Sequence, residues 1–138
     1  MEAGSEKRDK DRKPIKHFRD LIVYQEGLRL VVRLYACCEA LPMRERLGLE
    51  SQIKRAALSV VLNIAEGYGR KSSEKEFQQY LRTSLGSCNE VIACLDVAVA
   101  LGYLSNEANA LAQEYERLAR QLWSLARKWQ RYPDSHEE

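Results

Sequence analysis

The sequence predicts an all-α protein, an antiparallel up-down-up-down four-helix bundle over residues 15–132. Three observations carry that expectation. Apolar residues recur at spacings of three and four in four separate segments, the pattern of left-handed bundle packing. Glycine and proline number seven and three in 138 residues, too few to punctuate a turn-rich β fold. No segment alternates apolar and polar residues as a half-buried strand would. At this length one domain buries roughly two-thirds of its unfolded surface, so ordinary packing suffices without metals or disulfides.

The opening residues, MEAGSEKRDKDRKP, are charged or small with mixed signs, and are expected to form a disordered arm over 1–14. In the first helix Tyr24, Leu28, Val31, Tyr35 and Cys38 make a seam that Leu41-Pro42 stops. The linker MRERLGLE leads to the second helix, where Ile53, Ala57, Val60 and Ile64 repeat the spacing and Gly67 and Gly69 are expected to end it. Ser73 and Glu76 have the form of a capping box that starts the third helix, the Ser oxygen taking a free backbone N–H and the Glu reaching back. There Phe77, Leu81, Ser84, Cys88, Val91, Leu95 and Val99 form a long seam broken by one serine and closed at Gly102. The last helix follows a cap at Ser105. Its residues Leu111, Tyr115, Leu118, Leu122, Leu125 and Trp129 are spaced 4, 3, 4, 3, 4, the cleanest heptad in the chain. Residues 133–138 form an acidic tail.

Net charge is +2, so no global field draws a partner, and affinity for nucleic acid would come from local clustering of the 22 basic residues. Cys37, Cys38, Cys88 and Cys94 lack C-x-x-C spacing and a nearby histidine, and read as reduced thiols. The N-terminal stretch has no apolar core of the signal-peptide kind, and no run of about 18 apolar residues is present to span a membrane. The expectation is a cytoplasmic protein with no membrane association.

On a helical wheel the apolar residues of the second helix cover an arc of roughly 200°, where a helix packed on one side needs about 100°. The excess, at Leu58, Val61 and Ala65, is expected to meet a second copy of the chain and make a homo-oligomer.

Gln52, Ser59, Asn63 and Glu66 form one polar stripe on the second helix, and the third offers Ser84, Ser87, Asn89 and Glu90. An enzyme would need a nucleophile beside a base, or a carboxylate pair with one raised pKa. Neither His17 nor His136 is placed beside a serine, and no metal-ligand spacing is present. The expectation is a chain without catalytic residues, cofactor or metal. Asn63, Glu66, Ser87 and Glu90 then form a structural polar corner, since a buried carboxylate persists when hydrogen-bonded or paired.

The basic residues carry more. Arg117, Arg120, Arg127, Lys128 and Arg131 follow helical spacing on the face away from the heptad seam, with Ser124 in the gap and Glu114 and Glu116 both preceding them. A solvated face is the plain reading of such a run. With Arg70 and Lys71 at the turn after the second helix, Lys54 and Arg55 within it, and Lys7, Arg8, Lys10, Arg12 and Lys13 in the arm, it also offers several contacts to the phosphates of RNA or DNA. No base-reading motif accompanies them.

FRDLIVYQEGLRLVVRLY, and then SQIKRAALSV, NIAEG with Arg70, the SSEKEF helix start, and Gly86-Ser87 with Glu90, resemble the bacterial four-helix-bundle family of proteins encoded in 23S rRNA intervening sequences. The same family shape includes the accessory variability determinants of diversity-generating retroelements. The resemblance covers residues 18 to 130. It implies a homopentamer, a ring-shaped assembly around a central channel. In the retroelement branch it implies a basic platform that binds nucleic acid and associates with a reverse transcriptase. In the intervening-sequence branch it implies association with RNA. A protein-interaction scaffold without nucleic-acid binding is the third reading. The family pattern falls on Asn63, Glu66, Gly67, Arg70, Ser87 and Glu90, which read as structural.

Overall fold

The computed structural model describes residues 14–131, with side chains as far as Trp129. Most of the arm, the acidic tail and His136 lie outside the described residues. Four α-helices follow one another: α1 (Ile22–Cys38), α2 (Leu49–Gly69), α3 (Glu74–Ala100) and α4 (Asn106–Arg131). Short 3-10 turns at Phe18–Asp20 and Met43–Glu45 lead into α1 and α2. No strand is present among the described residues. Helices adjacent in the chain are adjacent in space, and α1 against α4 closes the bundle. This is the antiparallel topology that short connections impose.

Each connection is held by local hydrogen bonds. At the entry, His17 Nδ1 accepts the N–H of Arg19 at 3.2 Å, and the Asp20 carboxylate accepts those of Lys16 and His17. Before α2, the Glu45 carboxylate accepts the Leu49 N–H at 3.2 Å. Ser73 caps α3 by accepting the Glu76 N–H at 3.2 Å, but the Glu76 carboxylate turns to Arg70, so the expected capping box is half formed. After α3, Gly102 takes φ 79°, with Gly102 N–H on the Val99 carbonyl and Tyr103 N–H on the Ala98 carbonyl. That is the Schellman ending, which needs a residue without a Cβ at the left-handed position.

The seams expected for α2, α3 and α4 form the core. Ile53, Ala57, Val60 and Ile64 are buried, as are Phe77, Leu81, Ser84, Cys88, Val91 and Leu95, with Ala98 taking the place of the half-buried Val99. On α4, Leu111, Tyr115, Leu118, Leu122 and Trp129 are buried and Leu125 half-buried. By length and composition α3 is apolar enough to cross a bilayer, which the count of consecutive apolar residues did not foresee. Its buried side faces α2 and α4, as the central helix of a bundle requires.

Three expectations are corrected. First, the α1 seam is rotated: Cys38 is buried as expected, but Val23, Gly27, Leu30 and Leu34 join it in the core, Tyr24 and Val31 are half-buried against it, and Leu28 and Tyr35 are exposed. Gly27 sets this rotation, because a Cβ there would lie 2.9 Å from Val61 Cγ1, so α1 rests its bare backbone on α2. Second, Val61 is therefore 6% exposed inside the bundle and does not belong to an outward face. The outward apolar residues of α2 are Leu58 and Leu62, with Ala65 half-buried. Third, Gly67 does not end α2, which runs to Gly69. A Cβ at Gly67 would sit 2.6 Å from Tyr80 Cβ, so this glycine lets α3 approach.

Candidate nucleic-acid interface

The outer face of α4 is a row of cations. Arg117, Arg120, Arg127 and Lys128 are exposed, and residues 117–131 contain no acid. None of these four side chains has a carboxylate within ion-pair distance among the described residues. Arg131 ends the helix, and its side chain lies outside the described residues. Of the two acids that precede the row, Glu116 is exposed and Glu114 is engaged elsewhere. Glu114 receives Arg29 at 2.8 Å and Arg33 beside it, both from α1, so its charge is neutralised on the far flank of α4.

Trp123 interrupts the row on its α3 side, 55% exposed, with the Arg127 guanidinium carbon 4.7 Å from its ring centroid. Arg82 of α3 joins Trp123 and Arg127 around a shallow recess. The sequence reading passed over Trp123. The available signal was an aromatic off the heptad seam with an arginine one turn to either side.

The other cations divide between the two ends of the bundle. Phe77 packs edge-on against Trp129 at 4.4 Å and against Tyr68 at 6.3 Å, so the α2–α3 corner abuts the C-terminal end of α4. Arg70 and Lys71 thus share an end with Arg127 and Lys128. They are partly committed there. Arg70 Nε lies 3.0 Å from Glu66 and its guanidinium 5.5 Å from the Tyr80 ring, while Lys71 lies 4.2 Å over Tyr68. Lys54 and Arg55 sit at the opposite end. Lys54 donates to Glu50 at 3.1 Å and lies 4.5 Å over Tyr35 of α1, and that hydrogen bond raises its pKa. Lys54 is spoken for within the fold, whereas Arg55 is exposed.

The expected polar corner does not form one unit. Asn63 donates to Ser59 Oγ at 2.9 Å, the Ser59 and Ser87 hydroxyls are 2.7 Å apart, and Ser87 donates to the Thr83 carbonyl at 3.2 Å. Each hydroxyl has one proton. Ser87 spends its own on Thr83, so the proton between the two serines belongs to Ser59. Ser84 adds a buried bond to the Val60 carbonyl at 2.7 Å. These groups join α2 to α3 at mid-helix. Glu66 and Glu90 are outside the network: the Glu66 side chain is 55% exposed in its pair with Arg70, and Glu90 is exposed. The correction follows from phase, since Glu66 lies at the last turn of α2, where the helix has turned its polar edge to solvent.

The thiols are quiet. Burial pushes Cys38 and Cys88 up to about 12, which keeps them protonated and poorly nucleophilic at neutral pH. Among the described residues no three His, Cys, Asp or Glu side chains converge to hold a metal ion.

Comparison with known proteins places this bundle. The family model described as 23S rRNA-intervening sequence protein matches residues 19–124. The chain belongs to that family. The match runs from the entry turn to Ser124 on α4, so it includes Trp123 and ends just before Arg127 and Lys128. A crystal structure of a protein of unknown function from the S23 ribosomal protein family of Bacteroides thetaiotaomicron superposes with a TM-score of 0.68. The two chains are 20% identical over 77% of this one and 96% of the other, which establishes a shared fold. Among curated proteins nothing matches.

Proposed function

We propose that this member of the 23S rRNA-intervening sequence family is a non-enzymatic nucleic-acid-binding accessory protein that grips phosphates with the outer face of α4. The observation that carries the reading is the acid-free row Arg117, Arg120, Arg127 and Lys128, exposed and without carboxylate partners. Cations held apart from acids on a rigid helix are free to replace the counterions of a phosphate backbone. Such contacts position a nucleic acid without reading its sequence. The family's description favours RNA over DNA as the natural ligand.

In this reading the working form is the homopentameric ring that the family resemblance implies. Exposed Leu28 and Val32 on α1 and Leu58 and Leu62 on α2 support it, because an apolar outer face of this kind marks an interface. A ring repeats the α4 row in every subunit and multiplies its contacts. The retroelement form of the proposal adds a cytoplasmic reverse transcriptase seated on that ring with its RNA template. Co-purification with a reverse transcriptase encoded beside the gene tests that addition.

Filter binding against salt tests the central claim. Affinity should fall with a log-log slope near −0.7 per phosphate contact on a single strand, and replacing Arg120 and Arg127 by Gln should flatten it by about one to two units per engaged subunit. No retention of RNA or DNA at low salt and micromolar protein would refute the reading in favour of a pure protein scaffold.

A further inference from the structure

Trp123 stands in unusual company. Arg120 and Arg127 lie one turn before and after it on α4, and Arg82 reaches the same recess from α3, whose floor is Leu81, Leu122 and Ala126. Arg127 already rests 4.7 Å from the ring centroid. No carboxylate pairs with any of the three arginines among the described residues. A half-exposed indole inside a rim of guanidinium groups can stack a flat, electron-rich ring while the rim holds the phosphates on either side of it.

Gly86 is a second, independent sign. A glycine within a helix weakens it and is usually repaid by close packing. Here a Cβ would meet nothing within 4 Å, so no neighbour in this chain asks for the glycine. It lies one turn beyond Arg82 on the exposed edge of α3 and leaves that edge bare.

We propose that the Trp123 recess is a stacking site for an unpaired nucleotide, so that this protein prefers single-stranded nucleic acid to duplex. The proposal rests on the phosphate-binding reading of α4 and adds a base-contacting residue to it. A duplex keeps its bases stacked inside and presents phosphates alone, so it engages the arginines and leaves the indole untouched. An unpaired base has a free face for the ring.

Tryptophan fluorescence separates the two modes. Trp129 is buried against Phe77, so the solvent-exposed emission belongs to Trp123. The intact protein is titrated at low salt with an oligouridylate strand and with a duplex RNA of equal length. The strand should quench the exposed emission and the duplex should leave it unchanged. Trp123→Leu should weaken the strand by roughly 5- to 150-fold and spare the duplex, and Trp123→Phe should restore part of the loss. Equal quenching by duplex, or a Trp123→Leu protein that binds the strand as tightly as wild type, overturns the stacking site while the phosphate grip stands. A wild type that binds neither probe overturns both.

Discussion

Two glycines in helix interiors predict opposite results for one substitution. Alanine in place of glycine improves helix propensity by up to about 1 kcal/mol. At Gly86 the new Cβ enters open space, so Gly86→Ala should gain that amount and stabilise the protein by about 1 kcal/mol. At Gly67 the Cβ would lie 2.6 Å from Tyr80 Cβ and 3.1 Å from Phe77 Cδ1. Carbon atoms rest comfortably at about 3.5–4.0 Å, so α3 must withdraw by about 1 Å. Tyr80 Cβ moves only with its backbone, which puts the overpacking cost near the top of the usual range, about 3 kcal/mol. Gly67→Ala should therefore be about 2 kcal/mol less stable than wild type, and the two variants about 3 kcal/mol apart. Urea unfolding followed by far-ultraviolet circular dichroism, at one protein concentration so that the proposed assembly contributes equally to each, measures all three proteins. A Gly67→Ala protein as stable as Gly86→Ala would refute the close α2–α3 contact.

The divided polar corner makes a ranking. Glu66→Gln removes one exposed ion pair and should cost under about 1 kcal/mol, whereas Ser87→Ala strips the acceptor of the Ser59 proton inside the α2–α3 interface and should cost about 1–3 kcal/mol. The reverse order in the same urea experiment would restore Glu66 as the brace. For assembly, Leu62→Glu places a charge on the outer apolar face. It should preserve helical circular dichroism while light scattering falls to the 15.9 kDa of one chain, whereas Val61→Glu should unfold the bundle. A wild type already at that mass refutes the ring.

Much of the bundle could be read from single helices. The phases of α2, α3 and α4 were legible because each carries a polar or charged flank that leaves one arc for the core. On α4 the same periodicity that buries Leu118 and Leu122 puts Arg117, Arg120 and Arg127 opposite them, so the cationic face needed no tertiary information. The stripe containing Ser59 and Asn63 was legible for the same reason.

What the sequence left open depends on partners from other helices. In α1, apolar residues from Ile22 to Tyr35 occupy nearly every side, so two seams fit the spacing equally well. The choice came from Gly27 meeting Val61 and from Arg29 and Arg33 meeting Glu114. Val61 likewise looked surplus until the glycine opposite it was placed. Ser87 was joined to Ser59 by the register of α3 on α2, and Arg82 was brought beside Trp123 by the register of α3 on α4. Periodicity determines which residues of one helix share a face. Which two faces meet, and at what height, is determined by close approach between helices, and the nucleotide recess proposed at Trp123 is built at such a seam.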